Sequence, residues 1–269
     1  MFSDIDRKAR ISSLLKSSQI DRETSGFPSF YLSKLQLREP IEINYIANLR
    51  LGQQVERIVS ALIKSSSNYE LLYQNIQLID QKITIGELDF ILKEVQTDCC
   101  IHVELAYKFY LFNPKIEGRF IDKWVGPNQK DSLSAKLIKL QKQQFPLVYH
   151  PTAAALLPKI DNSTLQQQLC FLVSLYIPYQ NNIKLPANFQ KSVKGYYINI
   201  SQLRTLDHRS FGYYIPPKRE WGIDPSTNEQ WETWMNINSQ VEEIISSRNS
   251  LMCWKKNKNE YTAFFVVNW

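Results

Sequence analysis

Four charged residues stand where the surrounding pattern favours apolar or neutral ones: Glu56, Asp89, Glu104 and Lys108. Glu56 lies on the flank of an amphipathic stretch, one helical turn from Gly52 and Val59. Asp89 interrupts the apolar alternation of residues 86–92. Glu104 and Lys108 interrupt the next apolar run and project from one face of it. A carboxylate inside a strand is costly unless it is paired or coordinates a cation. Two carboxylates on successive strands suit a hard divalent cation such as Mg²⁺ or Mn²⁺, which takes its remaining oxygens from water and substrate phosphates. A lysine on the same face can orient or activate an attacking water. Each residue also has a plain structural explanation: Glu56 can pair with Ser60 or Lys64, and Asp89 with Lys108. Together, at helix–strand–strand spacing, they form a candidate catalytic set of Glu56, Asp89, Glu104 and Lys108. Asp89 and Glu104 are its metal ligands, and Glu56 assists through water or a second metal.

The elements that must carry these residues follow from periodicity. Apolar positions Leu51, Val55, Ile58, Val59, Leu62 and Ile63 recur at helical spacing and predict an amphipathic helix over 43–64, ended by Ser65–Asn68. Strand material at 76–79 and 83–85 is joined through Asp80-Gln81-Lys82, and a half-buried strand follows at 87–92. A third, long strand spans 100–112, with Val103, Leu105, Tyr107 and Phe109 on one face and Glu104, Ala106, Lys108 and Tyr110 on the other. Asp131 is the expected N-cap of a helix reaching Gln144. A fourth strand is expected at 169–177, stopped by Pro178. Further on, a helix carries Trp231, Trp234, Met235, Val241, Ile244 and Ile245, and a terminal hairpin joins 251–255 to 261–267. An aromatic stripe at helical spacing is more often core than a base-stacking platform, so these aromatics are assigned to core.

The chain has 269 residues, of which 43% are hydrophobic and 22% charged, enough for a substantial core and too apolar for a disordered chain. Only 8 glycines are present, and neither GxGxxG nor GxxxxGK[ST] occurs, which sets aside the common nucleotide-cradling loops. Residues 1–19 lack the apolar centre of a signal peptide, and no apolar run is long enough to cross a bilayer. Four cysteines and three histidines show no C-x-x-C and no H-x-x-x-H, against structural zinc or a disulfide scaffold. The expectation is a cytoplasmic protein without membrane contact. Net charge is +6, unevenly placed. Residues 104–142 hold eight Lys/Arg against four Asp/Glu, whereas 49–103 hold five against seven. An acidic segment running into a basic one suits a metal site beside a polyanion, with Lys115, Arg119, Lys123 and Lys130 as candidate phosphate contacts. A solvated helix face with some lysines would show the same charge count.

Three stretches carry a family resemblance. They are Gly86-Glu87-Leu88-Asp89-Phe90, the run His102-Val103-Glu104-Leu105-Ala106-Tyr107-Lys108-Phe109-Tyr110-Leu111, and Trp124-Val125-Gly126-Pro127-Asn128 followed by Asp131-x-Leu133-x-x-Lys136-Leu137. Together they resemble a bacterial domain-of-unknown-function family placed in the PD-(D/E)XK, restriction-endonuclease-like superfamily. The specific likeness covers about 51–144 and continues more weakly to the terminal strands. It implies a mixed α/β fold with a core of helix, three strands, helix and strand. The implied division is a lead-in at 1–40, a nuclease-like core at 41–178 and an aromatic-rich α+β extension at 179–269. Glu56 would match the superfamily's helix acid, Asp89 its metal-binding aspartate and Glu104 the acid of the E-x-K motif. The sequence departs from the pattern at Ala106, which stands in the lysine slot, with Lys108 two residues further on. The implied activity is Mg²⁺- or Mn²⁺-dependent phosphodiester hydrolysis of DNA or RNA. The alternative is a catalytically inactive nuclease-like module that binds nucleic acid or a protein partner.

Overall fold

The computed structural model describes residues 4–38, 41, 49–158, 160–180 and 182–269. The first part of the helix expected from Ile43 lies outside the described residues. In chain order the described elements begin with α1 (Asp4–Leu15), α2 (Arg22–Ser25) and α3 (Leu51–Lys64). Strands β1 (Tyr69–Asp80), β2 (Ile83–Glu94), β3 (Cys100–Phe112) and β4 (Trp124–Val125) follow, then helix α4 (Leu133–Lys139). A π-helical turn (Leu140–Gln144) and a 3₁₀ turn (Phe145–Tyr149) lead to α5 (Pro151–Leu156) and β5 (Gln166–Pro178). The last part holds α6 (Ala187–Gln190), β6 (Val193–Asn199), α7 (Ile200–Arg204), β7 (Gly212–Tyr214), α8 (Trp234–Ser246), β8 (Leu251–Asn257) and β9 (Glu260–Val267). This is a mixed α/β fold, and the stretch from α3 to β5 runs α3, the three long strands β1–β3, the two-residue β4, α4, α5 and β5. None of the helices is long and apolar enough to cross a membrane among the described residues.

The chain divides into two compact units that interleave along the sequence. Among the described residues, the first takes those within 14–107 and 136–172, and the second those within 4–13, 108–135 and 173–269. Strands β3 and β5 each begin in the first unit and end in the second.

In the first unit the strands run in the order β1-β2-β3-β5. β1 and β2 form an antiparallel hairpin closed at Asp80↔Ile83, and β2 pairs antiparallel with β3 from Lys93↔Cys100 to Phe90↔Val103. The apolar runs read as separate at 83–85 and 87–92 are one strand, passing through Gly86. A Cβ built on Gly86 would come 2.3 Å from Leu147 Cδ1, so the missing side chain makes room for Leu147 rather than breaking the strand. Leu78, Leu88 and Ile91 pack with Val148, Ala153, Leu157 and Leu165 in one core cluster. α3 buries Val55, Ile58, Val59, Leu62 and Ile63, the apolar set that predicted it. β3 departs from the two alternating faces expected: Ile101 through Glu104 are all buried, so both faces of the strand are covered there. Residues 14–38, expected as a lead-in, belong to this unit; Gln19 and Ser29 form bridges to Leu172 and Leu169 of β5.

In the second unit β6 pairs parallel with β5 and with β9, while β8 pairs antiparallel with β9 and β7. Ile198, Tyr213, Val241, Ile245, Cys253, Phe264 and Val266 belong to its core cluster, which includes part of the aromatic content assigned to core. Met235, expected on the apolar face of α8, is 84% exposed, and the helix begins at Trp234 rather than Trp231. The expected N-cap of α4 is also displaced. Ser132 Oγ, not Asp131, accepts from the Ala135 amide at 3.2 Å.

Candidate active site

Asp89 occupies the middle of β2, where the backbone ladder skips a rung on each side. The β1–β2 ladder passes from Gln74↔Phe90 to Ile76↔Leu88, leaving Asn75 opposite Asp89. Asn75 has φ 53°, a left-handed conformation that asparagine tolerates better than most residues. The β2–β3 ladder stops at Phe90↔Val103, so the next positions, Asp89 and Glu104, face each other without a rung. Asp89 Oδ2 instead accepts from the Leu105 amide at 2.7 Å. The register therefore lines up Asn75, Asp89 and Glu104 across three strands. From α3, Glu56 accepts a hydrogen bond from the Asn75 side chain.

Glu104 is fully buried, and both its carboxylate oxygens are engaged. Oε1 lies 2.9 Å from His102 Nε2, and Oε2 accepts from Gln144 Nε2 at 2.7 Å. The Gln144 carbonyl in turn accepts from Lys136 Nζ at 2.8 Å. On the far side of His102, Gln167 Nε2 donates to Phe145 O at 2.7 Å and approaches His102 Nδ1 at 3.4 Å. That amide can only donate, which assigns the imidazole proton to Nε2, directed at Glu104. The ring of Phe145 covers His102 edge-on at 5.5 Å between centroids.

The electrostatics follow from burial. Desolvation, together with the Glu104 charge, pushes Asp89 up to about 8 against the pull of the Leu105 amide and Lys136. Desolvation likewise pushes Glu104 up to about 8, opposed chiefly by Lys136 and by the Asp89 amide. His102 is pushed down to about 4 by burial, so its imidazole is neutral at pH 7. Glu56 is raised, first by desolvation and also by Glu87, while Asn75 and Arg57 oppose the rise. Two acids that resist ionisation because the site is dry, with Asp89 raised further by the Glu104 charge, form an arrangement a divalent cation would relieve.

Of the expected residues, Asp89 and Glu104 come together, with Glu56 close enough for its charge to act on Asp89. Lys108 does something else: its Nζ bonds Asp131 Oδ2 at 2.7 Å, both within the second unit. The expectation from shared strand parity overlooked Asp131, a carboxylate acceptor 23 residues on. The lysine whose charge acts on both acids is Lys136 of α4. Lys115, Arg119 and Lys130 are exposed on the second unit and Lys123 is partly buried there. The Arg119 guanidinium is forked onto Asp122, with two contacts of 3.1 Å, and is committed to that carboxylate.

Sequence reasoning did not assign His102, Lys136, Gln144 or Gln167 to the site. His102 had one usable signal, since His-x-Glu on a strand puts both side chains on one face. Lys136 and Gln144 had none locally, because a lysine and a glutamine on an amphipathic helix read as solvated.

The residues can be tested against the expected metal. Among the described residues no three His, Cys, Asp or Glu side chains group closely enough to hold an ion. Glu56, hydrogen-bonded to Asn75, does not complete such a trio. Asp89 and Glu104 alone supply hard oxygen donors, which fits Mg²⁺ held by two carboxylates plus water and substrate oxygens, and does not fit an all-protein cage. All four cysteines are free thiols.

Comparison with known proteins gives one match. The family model described as Domain of unknown function (DUF1853) matches residues 13–262. No curated protein and no solved structure matches the chain.

Proposed function

The chain belongs to the DUF1853 family, and we propose that its first unit is a metal-dependent phosphodiesterase centre acting on DNA or RNA, built on a restriction-endonuclease-like core. The observation that carries this reading is the buried pair Asp89–Glu104 on adjacent strands, with Lys136 opposing the rise in both their pKa values. The order of α3, the long strands β1–β3, α4 and β5 around the pair, with the short β4 and α5 inserted, supports the proposed core.

Asp89 and Glu104 would hold Mg²⁺ or Mn²⁺, and the bound ion would polarise a phosphoryl oxygen and lower the pKa of a coordinated water. The chain's own residues prepare that function. The Leu105 amide fixes one oxygen of Asp89, and His102 and Gln144 fix both oxygens of Glu104, so neither carboxylate swings. Lys136 takes the role expected of Lys108, placing a cation beside the acids to orient the nucleophile or offset phosphate charge. Glu56 adds negative charge from α3 through its effect on Asp89. Lys115, Lys123 and Lys130 would contact the phosphate backbone.

The alternative is a nuclease-like module that binds nucleic acid without cleaving it. The engagement of both Glu104 oxygens by protein groups and the lack of a third ligand favour it. Turnover decides between the two. Single- and double-stranded DNA and RNA, incubated with Mg²⁺ or Mn²⁺, should be cut by the wild type and not by Asp89→Ala. Binding of the same substrates without cleavage under either metal selects the module.

A further inference from the structure

We infer that Gln144 is a positioning residue: its side-chain amide sets the spacing and orientation between the Lys136 ammonium and the Glu104 carboxylate, and so fixes how Glu104 is presented to a cation. The second half of this statement rests on the metal reading above; the first half does not.

The geometry has a directional logic. Gln144 accepts from Lys136 through Oε1 at 2.8 Å and donates to Glu104 through Nε2 at 2.7 Å. A primary amide is the neutral side chain that offers an acceptor to a cation and a donor to an anion from one rigid plane. The Lys136 end of the bridge is charge-assisted, and a cation can only donate, so the amide turns its oxygen to Lys136 and its NH₂ to Glu104. With His102 on Oε1, the Glu104 carboxylate is pinned at both oxygens, and each oxygen keeps a lone pair for another ligand.

The backbone is built for this bridge. Lys136 and Gln144 are eight residues apart, which in a continuous α-helix would leave them about 80° out of line. The π-helical turn Leu140–Gln144 turns less per residue and brings Gln144 back toward the Lys136 side. Single π turns of this kind recur at functional sites. Leu140 and Phe145, buried at either end, anchor the turn. Groups that orient a metal-binding carboxylate in this manner typically change affinity or activity by about 10–100-fold when removed.

The test is a double-mutant cycle between Lys136→Met and Glu104→Gln, read as urea midpoints of the full chain, in the Gln144 and Gln144→Met backgrounds. With Gln144 present, the double change should shift the midpoint by less than the sum of the single changes. With Gln144→Met the shifts should add. If Gln144→Met does not fold, Gln144→Asn keeps the amide but withdraws it by one methylene, and should likewise make the shifts additive. Coupling that persists unchanged in these backgrounds overturns the inference. In parallel, a calorimetric titration with Mn²⁺ should show half-saturation rising by about 10–100-fold in Gln144→Met. Loss of coupling with unaltered Mn²⁺ affinity overturns the presentation of Glu104 and leaves the bridge standing. Loss of coupling in a chain that binds no Mn²⁺ at all supports the bridge and removes the metal reading.

Discussion

Asp89 and Glu104 are carboxylates that folding makes harder to ionise, and the sign of their effect on stability follows from that. Both rise from ordinary carboxylate values to about 8, so the folded protein keeps protons that the unfolded chain releases. Their contribution is fully present below the unfolded values and is lost as pH rises toward 8. His102, lowered to about 4, acts oppositely between pH 4 and 6.5, where stability gains with pH as the unfolded imidazole loses its proton. Above pH 6.5 only the acids remain. Metal-free protein should therefore lose stability between pH 6.5 and 8, on the order of 1 kcal/mol per pH unit for each proton involved. Asp89→Asn should flatten the slope; a flat wild-type profile from urea melts would contradict the burial argument. The two lysines separate in the same way. Lys136→Met should lower turnover by about 100-fold or more by removing charge beside the acids. Lys108→Met breaks a half-exposed pair with Asp131, worth about 0–1 kcal/mol, and should cost far less rate. Steady-state kinetics of the two variants check this, and the reverse ranking would return the role to Lys108. The acids were legible because a carboxylate in an apolar strand announces a cost. Lys136 and Gln144 were not, since the acids they act on lie 32 residues or more away and polar residues on a helix carry no comparable cost.

Helices and strands of the first unit were largely readable, and the failures share a cause. α3, β3 and the hairpin turn at Asp80-Gln81-Lys82 follow from pattern, whereas the Tyr69–Asn75 part of β1 was not read as strand. Gly86 and the segment after α4 do not follow from pattern, because each depends on a contact distant in sequence. Gly86 reads as a break until Leu147 is seen against it, and Lys139 gives no local sign that the helix widens into a π turn. Gly86→Ala should destabilise the protein by about 1–3 kcal/mol through overpacking, and Leu147→Ala in the same chain should recover part of that loss. Chemical denaturation of the single and double variants measures it. Strictly additive losses would mean that Leu147 is not what confines residue 86. The ladder gaps at Asp89 were also invisible in sequence, although the alternation located the residue itself.

The interleaving of the chain was the least legible feature. Residues 108–135 and 173–269 share one unit although 37 residues of the other unit lie between them, and no local pattern marks the changeover inside β3 or β5. Composition still speaks at this level. The basic excess is local, and ion pairing leaves its net size unchanged while committing two of its cations, Arg119 to Asp122 and Lys108 to Asp131. If the remaining cations track a phosphate backbone, replacing Lys115, Lys123 and Lys130 together with alanine should weaken binding alike for all sequences. The slope of log affinity against log salt should become shallower by up to about 0.9 per lost contact on duplex DNA. An unchanged slope would remove these lysines from the interface.

Everything proposed for the first unit depends on Asp89 and Glu104 taking a divalent cation together. The most direct measurement is the thermal midpoint at pH 7.5 as Mg²⁺ or Mn²⁺ is added to wild type and to Asp89→Asn. A cation that binds only the folded state stabilises it by mass action, by about 2.7 kcal/mol at a hundred times its dissociation constant. The wild-type midpoint should climb with metal, while Asp89→Asn should start higher without metal and fail to respond. An equal response in both proteins, or none in either, would contradict the account.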